Sequence, residues 1–362
     1  MKVKDVTNYL ESIAPLSLQE SYDNSGLLVG DMEDEVSAVL VSLDITDEII
    51  EEAIASKCNL IVAHHPIIFS GIKRLTKNDT VSDVLIKAVK NNINLYAIHT
   101  NLDNVVNGVN GKIADLIGLE KRKVLLPKSN LYKLAVFTPM SHKEKVLSAL
   151  FEAGAGHVGE YSNCSFTSKG TGTFKPMEGA TPFIGKIDEL ESVDEERLEL
   201  VVPDFSLANV IYAMKESHPY EEVAYDLVPL ANFSNFGAGL IGELKEPMDE
   251  SVFLQLLQKT FKSKSIRHTD LLIKPIRKVA LCGGSGSFLL KNAIKNKADI
   301  FITADMKYHQ FFEGEGRILI ADIGHYESEQ FTIDLIGDFL MKKFTNFAIR
   351  LTTVNTNPIN YL

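Results

Sequence analysis

Five side chains in this sequence, His64, His65, Asp103, His325 and Glu329, have the types and spacing to hold divalent cations. Ala63-His64-His65-Pro66 follows an apolar run of strand length, and adjacent residues on an extended strand point to opposite sides. The two imidazoles are therefore placed to serve two neighbouring ions rather than to grip one. Gly324-His325-Tyr326-Glu327-Ser328-Glu329 follows another such run and opens a helix, where residues four apart share a face. His99-Thr100-Asn101-Leu102-Asp103 follows a third. Histidine with carboxylate suits zinc, iron, manganese, nickel or cobalt, whereas oxygen-only sites suit calcium or magnesium. Five protein ligands for two ions leave coordination positions for water even if Glu329 bridges. Two ions about 3.5–4 Å apart lower the pKa of bound water and clamp developing charge, which makes hydrolysis the expected reaction class. His99 and His309 are candidates for a nearby base or proton shuttle.

The elements that position these residues read as α/β. Apolar strand-length runs alternate with helical patterns over residues 1–125, the signature of βαβ units on a mostly parallel sheet. The expected strands are 38–43, 59–63 and 93–98, with helices around 48–53 and 84–89. Residues 126–236 follow a different order: strand at 132–137, helix at 143–153, Gly/Ser/Thr-rich strand material, strand at 198–202, helix at 207–216 and strand at 223–228. That order suggests an inserted ferredoxin-like α+β module. Alternation resumes at Gly237, with strands at 278–281, 299–303 and 318–321, so 1–125 and 237–362 should form one discontinuous metal-binding domain.

The resumed segment repeats the first at an offset of 240 residues, aligning Val39-Leu40-Val41 with Val279-Ala280-Leu281 and His64-His65 with Ala304-Asp305. Both halves then present polar residues at the carboxyl ends of their strands, where open parallel sheets gather ligands. Gly283-Gly284-Ser285-Gly286-Ser287 also sits between strand and helix. It lacks the Gly-Lys-Ser/Thr of a P-loop, and a tight turn explains its glycines better than a phosphate cradle. His218 with Glu221 and Glu222 reads as a helix-to-strand turn.

Bulk composition narrows the class. The 362 residues exceed a usual single domain, and 45% hydrophobic with 23% charged residues is ordinary for a globular protein. A formal net charge of −11, from 37 basic and 48 acidic side chains, argues against a nucleic-acid partner. The three cysteines, Cys58, Cys164 and Cys282, are too dispersed for a disulfide framework or a metal knuckle. The opening residues carry no signal-peptide apolar region, and no run is long enough to span a bilayer, so a cytoplasmic location without membrane contact is expected.

Taken together, Tyr22-Asp23-Asn24-Ser25-Gly26-Leu27, Leu43-Asp44-Ile45-Thr46, His64-His65-Pro66, His99 to Asp103, His218-Pro219-Tyr220-Glu221-Glu222 and His325 to Glu329 resemble the NGG-interacting-factor-three-like family, also named the GTP cyclohydrolase 1 type 2 homologs. The resemblance implies a two-lobed α/β domain with a PII/CutA-like insertion and a toroidal homohexamer. It implies that His65 and Asp103 hold one ion, His64 and His325 the other, and that Glu329 touches both. The family name points to opening of the guanine imidazole ring of GTP, with a metal-bound hydroxide attacking C8 and formate leaving. The alternatives are a non-enzymatic metal-binding regulator or adaptor whose insertion senses a ligand, and a phosphoesterase acting on nucleotides or nucleic-acid ends. Tyr22, Ala304 and Leu240 depart from the family pattern, where tryptophan, glycine and arginine are usual. The missing arginine puts an anionic-substrate contact at that position in doubt.

Overall fold

The computed structural model describes all residues except 78, 129–130, 160 and 233–234. The described chain divides into two compact units, Met1–Pro127 with Asn235–Leu362, and Lys128–Ser234.

The first unit contains two sheets. Gly26–Val29 (β1), Val39–Ser42 (β2), Leu60–Ala63 (β3) and Asn94–Ala97 (β4) belong to the first, and Leu119–Pro127 (β5) to the second. The other unit contributes Leu131–Pro139 (β6), Ser165–Phe174 (β7), Glu191–Pro203 (β8) and Tyr225–Pro229 (β9). The first unit then resumes with Gly237–Met248 (β10), Arg267–His268 (β11), Ile276–Ser285 (β12), Ile300–Ala304 (β13), Leu319–Asp322 (β14) and Ile349–Leu351 (β15). Strand order is β1-β4-β3-β2-β15 in one sheet and β11-β14-β13-β12-β10-β5 in the other.

Each sheet is built on a parallel trio, β2-β3-β4 and β12-β13-β14, with a short antiparallel strand, β1 or β11, laid against the last member. The 240-residue offset thus corresponds to a repeated architecture. The strands of the first trio are buried along their whole length, as expected for parallel strands covered on both faces. Each residue such as Ile61, fully buried between β2 and β4, contributes about 2 kcal/mol relative to exposure. The two lobes keep separate apolar cores, one around Ile49, Ile61 and Leu95 and one around Ala280, Phe301 and Ile320.

Local sequence explains where the crossover helices begin. The Thr46 hydroxyl accepts from the Ile49 amide to start Asp47–Ser56, and the Asp79 carboxylate accepts from the Ser82 amide to start Thr80–Lys90. Lys57, at φ 56°, ends the first of these in the left-handed conformation. Two elements had no strand or helix assigned from sequence, the edge strand β1 and the amino-terminal helix Val3–Ile13. β1 is a four-residue strand with one fully buried position, too short for an alternation to register.

The unit Lys128–Ser234 runs β6, helix Lys143–Glu152, β7, β8, helix Leu207–Ser217, β9, with antiparallel strand order β7-β8-β6-β9. It has its own core, in which Leu134, Val136, Leu198 and Leu200 meet Val146, Leu150 and Val210. His218 belongs to its framework: Nε2 donates to the Phe137 carbonyl at 3.0 Å, and Nδ1 accepts from the Tyr220 amide at 3.1 Å. Glu221 accepts from the Thr181 amide and hydroxyl. Among the described residues no helix is long and apolar enough to cross a membrane.

Candidate metal centre

The side chains that could carry chemistry gather at the carboxyl ends of the two parallel trios, in the place where open α/β sheets bind ligands. β3 runs directly into His64 and His65, whose amides still donate to the Ser42 and Leu43 carbonyls, so the extended backbone holds through both residues. β4 leads through Ile98 and His99 into the helical turn Thr100–Asp103. β14 leads into the helix His325–Glu329 through Gly324, at φ 95°, where any Cβ would lie 2.2 Å from a Glu327 carboxylate oxygen.

Four imidazoles are each tied at Nδ1. His64 donates to the Ile98 carbonyl at 2.8 Å, His65 to Asp44 at 2.7 Å, His99 to Asp23 at 2.7 Å and His325 to Asp305 at 2.6 Å. A histidine held this way at one nitrogen offers the other in a fixed direction, the arrangement typical of metal-ligating imidazoles. The Nε2 atoms of His65 and His325 both lie 3.0 Å from Glu329 Oε2. His64 Nε2 lies 3.8 Å from Asp103 Oδ1. Two overlapping groups can therefore hold a metal ion, His64 with His65 and His99, and His65 with His325 and Glu329, the ligand atoms of each lying within 4.8 Å of one another.

Burial makes this polar cluster costly without a cation. His64 Nε2 and Asp103 Oδ1 are buried and lack a hydrogen-bond partner, an expensive state for two polar atoms. Burial pushes His64 down to about 3, so its imidazole is neutral and keeps a lone pair on Nε2. Burial likewise raises Asp103 well above the usual carboxylate range, with the Glu329 charge adding to the effect. For Glu329, burial is overruled by the His325 charge and by hydrogen bonds from His325 and His65, which hold the carboxyl well below its ordinary value. His65 shows the reciprocal effect. Burial would lower it, but hydrogen bonds to Asp44 and Glu329 raise it to about 10. In His325, burial is outweighed by Glu329 and Asp305, which raise it to about 11. Neutral and anionic nitrogen and oxygen donors, some orphaned and some sharing protons, are the donor set that a hard-to-borderline divalent cation fits.

All five residues expected from sequence as ligands are brought together. His99 joins them more closely than a remote base would, its ring centroid 5.3 Å from those of both His64 and His65. His309 does not. Asp305, at φ 55°, turns the chain left-handed after β13, which aims its own carboxylate at His325 and carries the next helical turn outward. His309 is left exposed there, packed on Tyr308 and Phe312. The contacts also group the histidines differently from what the resemblance implies. Strand alternation sends His64 beneath the Thr100–Asp103 turn, towards Asp103, and His65 across to the other lobe, towards Glu329.

Sequence reasoning missed Asp44, Asp23 and Asp305 as the groups that orient the imidazoles, and Thr356, whose hydroxyl donates to Asp44 Oδ2. A signal existed for Asp305, because the 240-residue offset sets it opposite His65. Thr356 lies in an irregular tail and gave none. The glycine run after β12 is not a phosphate cradle. Its amides at Gly283, Gly284 and Gly286 donate to Asn110, Ser328 and Thr303. Gly284 is required because a Cβ there would lie 2.3 Å from Glu329 Oε1. Leu240 is 1% exposed within β10, so that position has no access to an anionic substrate.

A cavity of about 670 Å3 opens onto the cluster, bordered by both lobes and by Asn357, Pro358 and Ile359 of the carboxyl-terminal tail. Comparison with known proteins matches this arrangement to others. The family model for Duf34/NIF3 (NGG1p interacting factor 3) matches residues 1–358. A "GTP cyclohydrolase 1 type 2 homolog" of Halalkalibacterium halodurans is 40% identical, the match covering 99% of this chain and 98% of that protein. The protein of the same name in Bacillus subtilis is 37% identical over 99% and 98%. A crystal structure of a Bacillus cereus protein related to NIF3 superposes with a TM-score of 0.83 at 36% identity, covering 100% of this chain and 99% of that one. This chain belongs to the Duf34/NIF3 family.

Proposed function

We propose that the protein is a hydrolase dependent on two divalent metal ions. The observation that carries this is the pairing of two buried, unpartnered donors, His64 Nε2 and Asp103 Oδ1, beside a carboxylate shared by His65 and His325 at 3.0 Å. In this reading His64 and Asp103, with His99, face one ion, and His65, His325 and Glu329 face the other. Zinc, iron or a similar cation bound there would act as a Lewis acid and lower the pKa of water at neutral pH.

The chain's own contribution is orientation. Asp44, Asp23 and Asp305 fix the tautomers of three imidazoles, and the Ile98 carbonyl fixes the fourth. Asp23 also accepts from the amide and hydroxyl of Thr100, and burial is overruled there by His99 and Thr100, so its carboxyl lies well below the usual range and stays anionic. His99 is then the imidazole best placed to pass a proton along an edge of the cavity, which it lines. The names of the relatives support a ring-opening hydrolysis of the GTP cyclohydrolase type on a small molecule.

The unit Lys128–Ser234 favours an added regulatory role. Its β-α-β-β-α-β order with strands β7-β8-β6-β9 supports a ferredoxin-like module of the PII/CutA kind, inserted into the metal-binding domain and able to sense a ligand within a homohexamer. Steady-state assay of metal-loaded protein against GTP and a panel of nucleotides and nucleosides, with His65→Ala as control, tests the hydrolase reading. Turnover that disappears in the variant supports it. Tight metal retention without turnover on any compound would leave the regulator.

A further inference from the structure

We propose that the cavity over the metal cluster takes an uncharged, planar, nucleobase-type heterocycle or its nucleoside, and selects against nucleoside triphosphates. This deepens the metal-centre reading, from which it takes the number of ions, but it does not depend on turnover.

The first argument is charge. Among the described residues no lysine or arginine lines the cavity, while four carboxylates do, Glu20, Asp44, Asp103 and Glu329. Two divalent cations would bring these four negative charges to zero, with the imidazoles neutral as ligands. A polyphosphate tail would add several negative charges to a balanced site that offers no guanidinium or ammonium to receive them, and such groups are how proteins commonly hold phosphate. Lys73, Arg74 and Lys77 follow Phe69 on an exposed loop, outside the lining.

Donor chemistry gives the second argument. Ionised carboxylates only accept hydrogen bonds. A ligand that satisfies Glu20 and Asp44 must bring N–H or O–H donors, as an amino-substituted heterocycle or a sugar does and an ionised phosphate does not. A ring carbonyl or ring nitrogen can meanwhile face the cations without adding charge.

Shape supplies the third. Tyr22 at 68%, Phe69 at 57% and Phe288 at 58% exposure border the cavity, with Tyr326 beside them. Phe69 is already set edge-on to His99, with ring centroids 5.9 Å apart. Exposed aromatic faces grouped around a concave, mainly apolar space are platforms for a flat ring. The volume of about 670 Å3 lies in the range of pockets that enclose drug-sized ligands.

Equilibrium dialysis of metal-loaded protein against guanosine, adenosine, guanine and GTP, at one ionic strength and with metal content measured in parallel, tests the proposal. At least one neutral compound should bind ten or more times tighter than GTP. Phe69→Ala or Tyr22→Ala should weaken that binding about tenfold, the size expected for a lost stacking platform, with metal content unchanged. GTP binding as tightly as the neutral compounds, retention of none of them, or indifference to both substitutions would overturn it. Neutral ligands that bind without turnover would remove the hydrolase reading and leave this one standing. GTP that binds best and is turned over would do the reverse.

Discussion

His65 and Glu329 are separated by 264 residues of chain, yet His65 Nε2 lies 3.0 Å from Glu329 Oε2, and this contact joins the two lobes of the metal-binding domain at the cluster. The same carboxylate oxygen lies 3.0 Å from His325 Nε2. One residue therefore sets the relation between both halves of the proposed centre.

Removing that carboxylate should abolish the shared site. In Glu329→Gln, affinity for zinc or iron is expected to fall by at least about 100-fold, more than the roughly 10- to 100-fold typical of losing an orienting group behind a ligand. Metal analysis after dialysis against a weak chelator reads this directly. Full retention of two ions per chain would contradict the bridging role.

The groups behind the imidazoles should matter less, in graded order. Asp44→Asn leaves the ring of His65 held by a weaker partner and should cost about 10- to 100-fold in metal affinity. Thr356→Val removes only the hydroxyl that donates to Asp44 Oδ2, one step further from the ion, and should cost less than tenfold. A Thr356→Val loss equal to that of Asp44→Asn, by competition with a fluorescent chelator, would mean the tail does more than steady Asp44.

Metal uptake should release protons. In the metal-free protein each ring of His65 and His325 donates at both nitrogens, and their carboxylate partners raise them, against burial, to about 10 and about 11. Both values exceed the ordinary 6.5, so these ion pairs stabilise the metal-free protein fully below 6.5 and fade as pH climbs through about 10 and 11. His64 runs the other way. Its folded value near 3 means that its neutral state supports the fold above 6.5 and that this support is lost as pH falls towards 3. A cation must displace protons from His65 and His325 but none from His64. Calorimetric titration at pH 7.5 in buffers of different ionisation enthalpy should report roughly two protons released per chain, and metal affinity should rise with pH. Release of none would show that the paired imidazoles are neutral before metal arrives.

Backbone approach to Glu329 can be tested by two glycine substitutions. Gly284→Ala places a Cβ 2.3 Å from Glu329 Oε1 and should lower metal affinity at least tenfold, as well as straining a residue at φ 59°. Gly316→Ala has a similar φ of 64° but nothing within 4 Å of the added atom. It should cost only about 1 kcal/mol of stability for the left-handed conformation and leave metal binding untouched. Equal metal loss in the two variants would assign the effect to backbone strain rather than to displacement of the carboxylate.

The residue types at the strand ends were legible from sequence because strand periodicity is local. Val39-Leu40-Val41, Leu60 to Ala63 and Ile300 to Ala304 are apolar runs that can only be buried strands, and whatever follows them must emerge at one edge of a sheet. The i, i+4 spacing of His325 and Glu329 likewise needs nothing beyond one helical turn. What each side chain meets was decided only by tertiary packing. The direction taken after a strand depends on single backbone conformations such as Asp305 in the left-handed region, which turned one expected partner, His309, away and brought Asp305 itself onto His325. The absence of any lysine or arginine from the described cavity lining is a property of many distant segments brought together, and Thr356 reaches Asp44 across 312 residues. Periodicity specifies which face of an element is buried, but the partners on that face depend on how the two lobes close on one another.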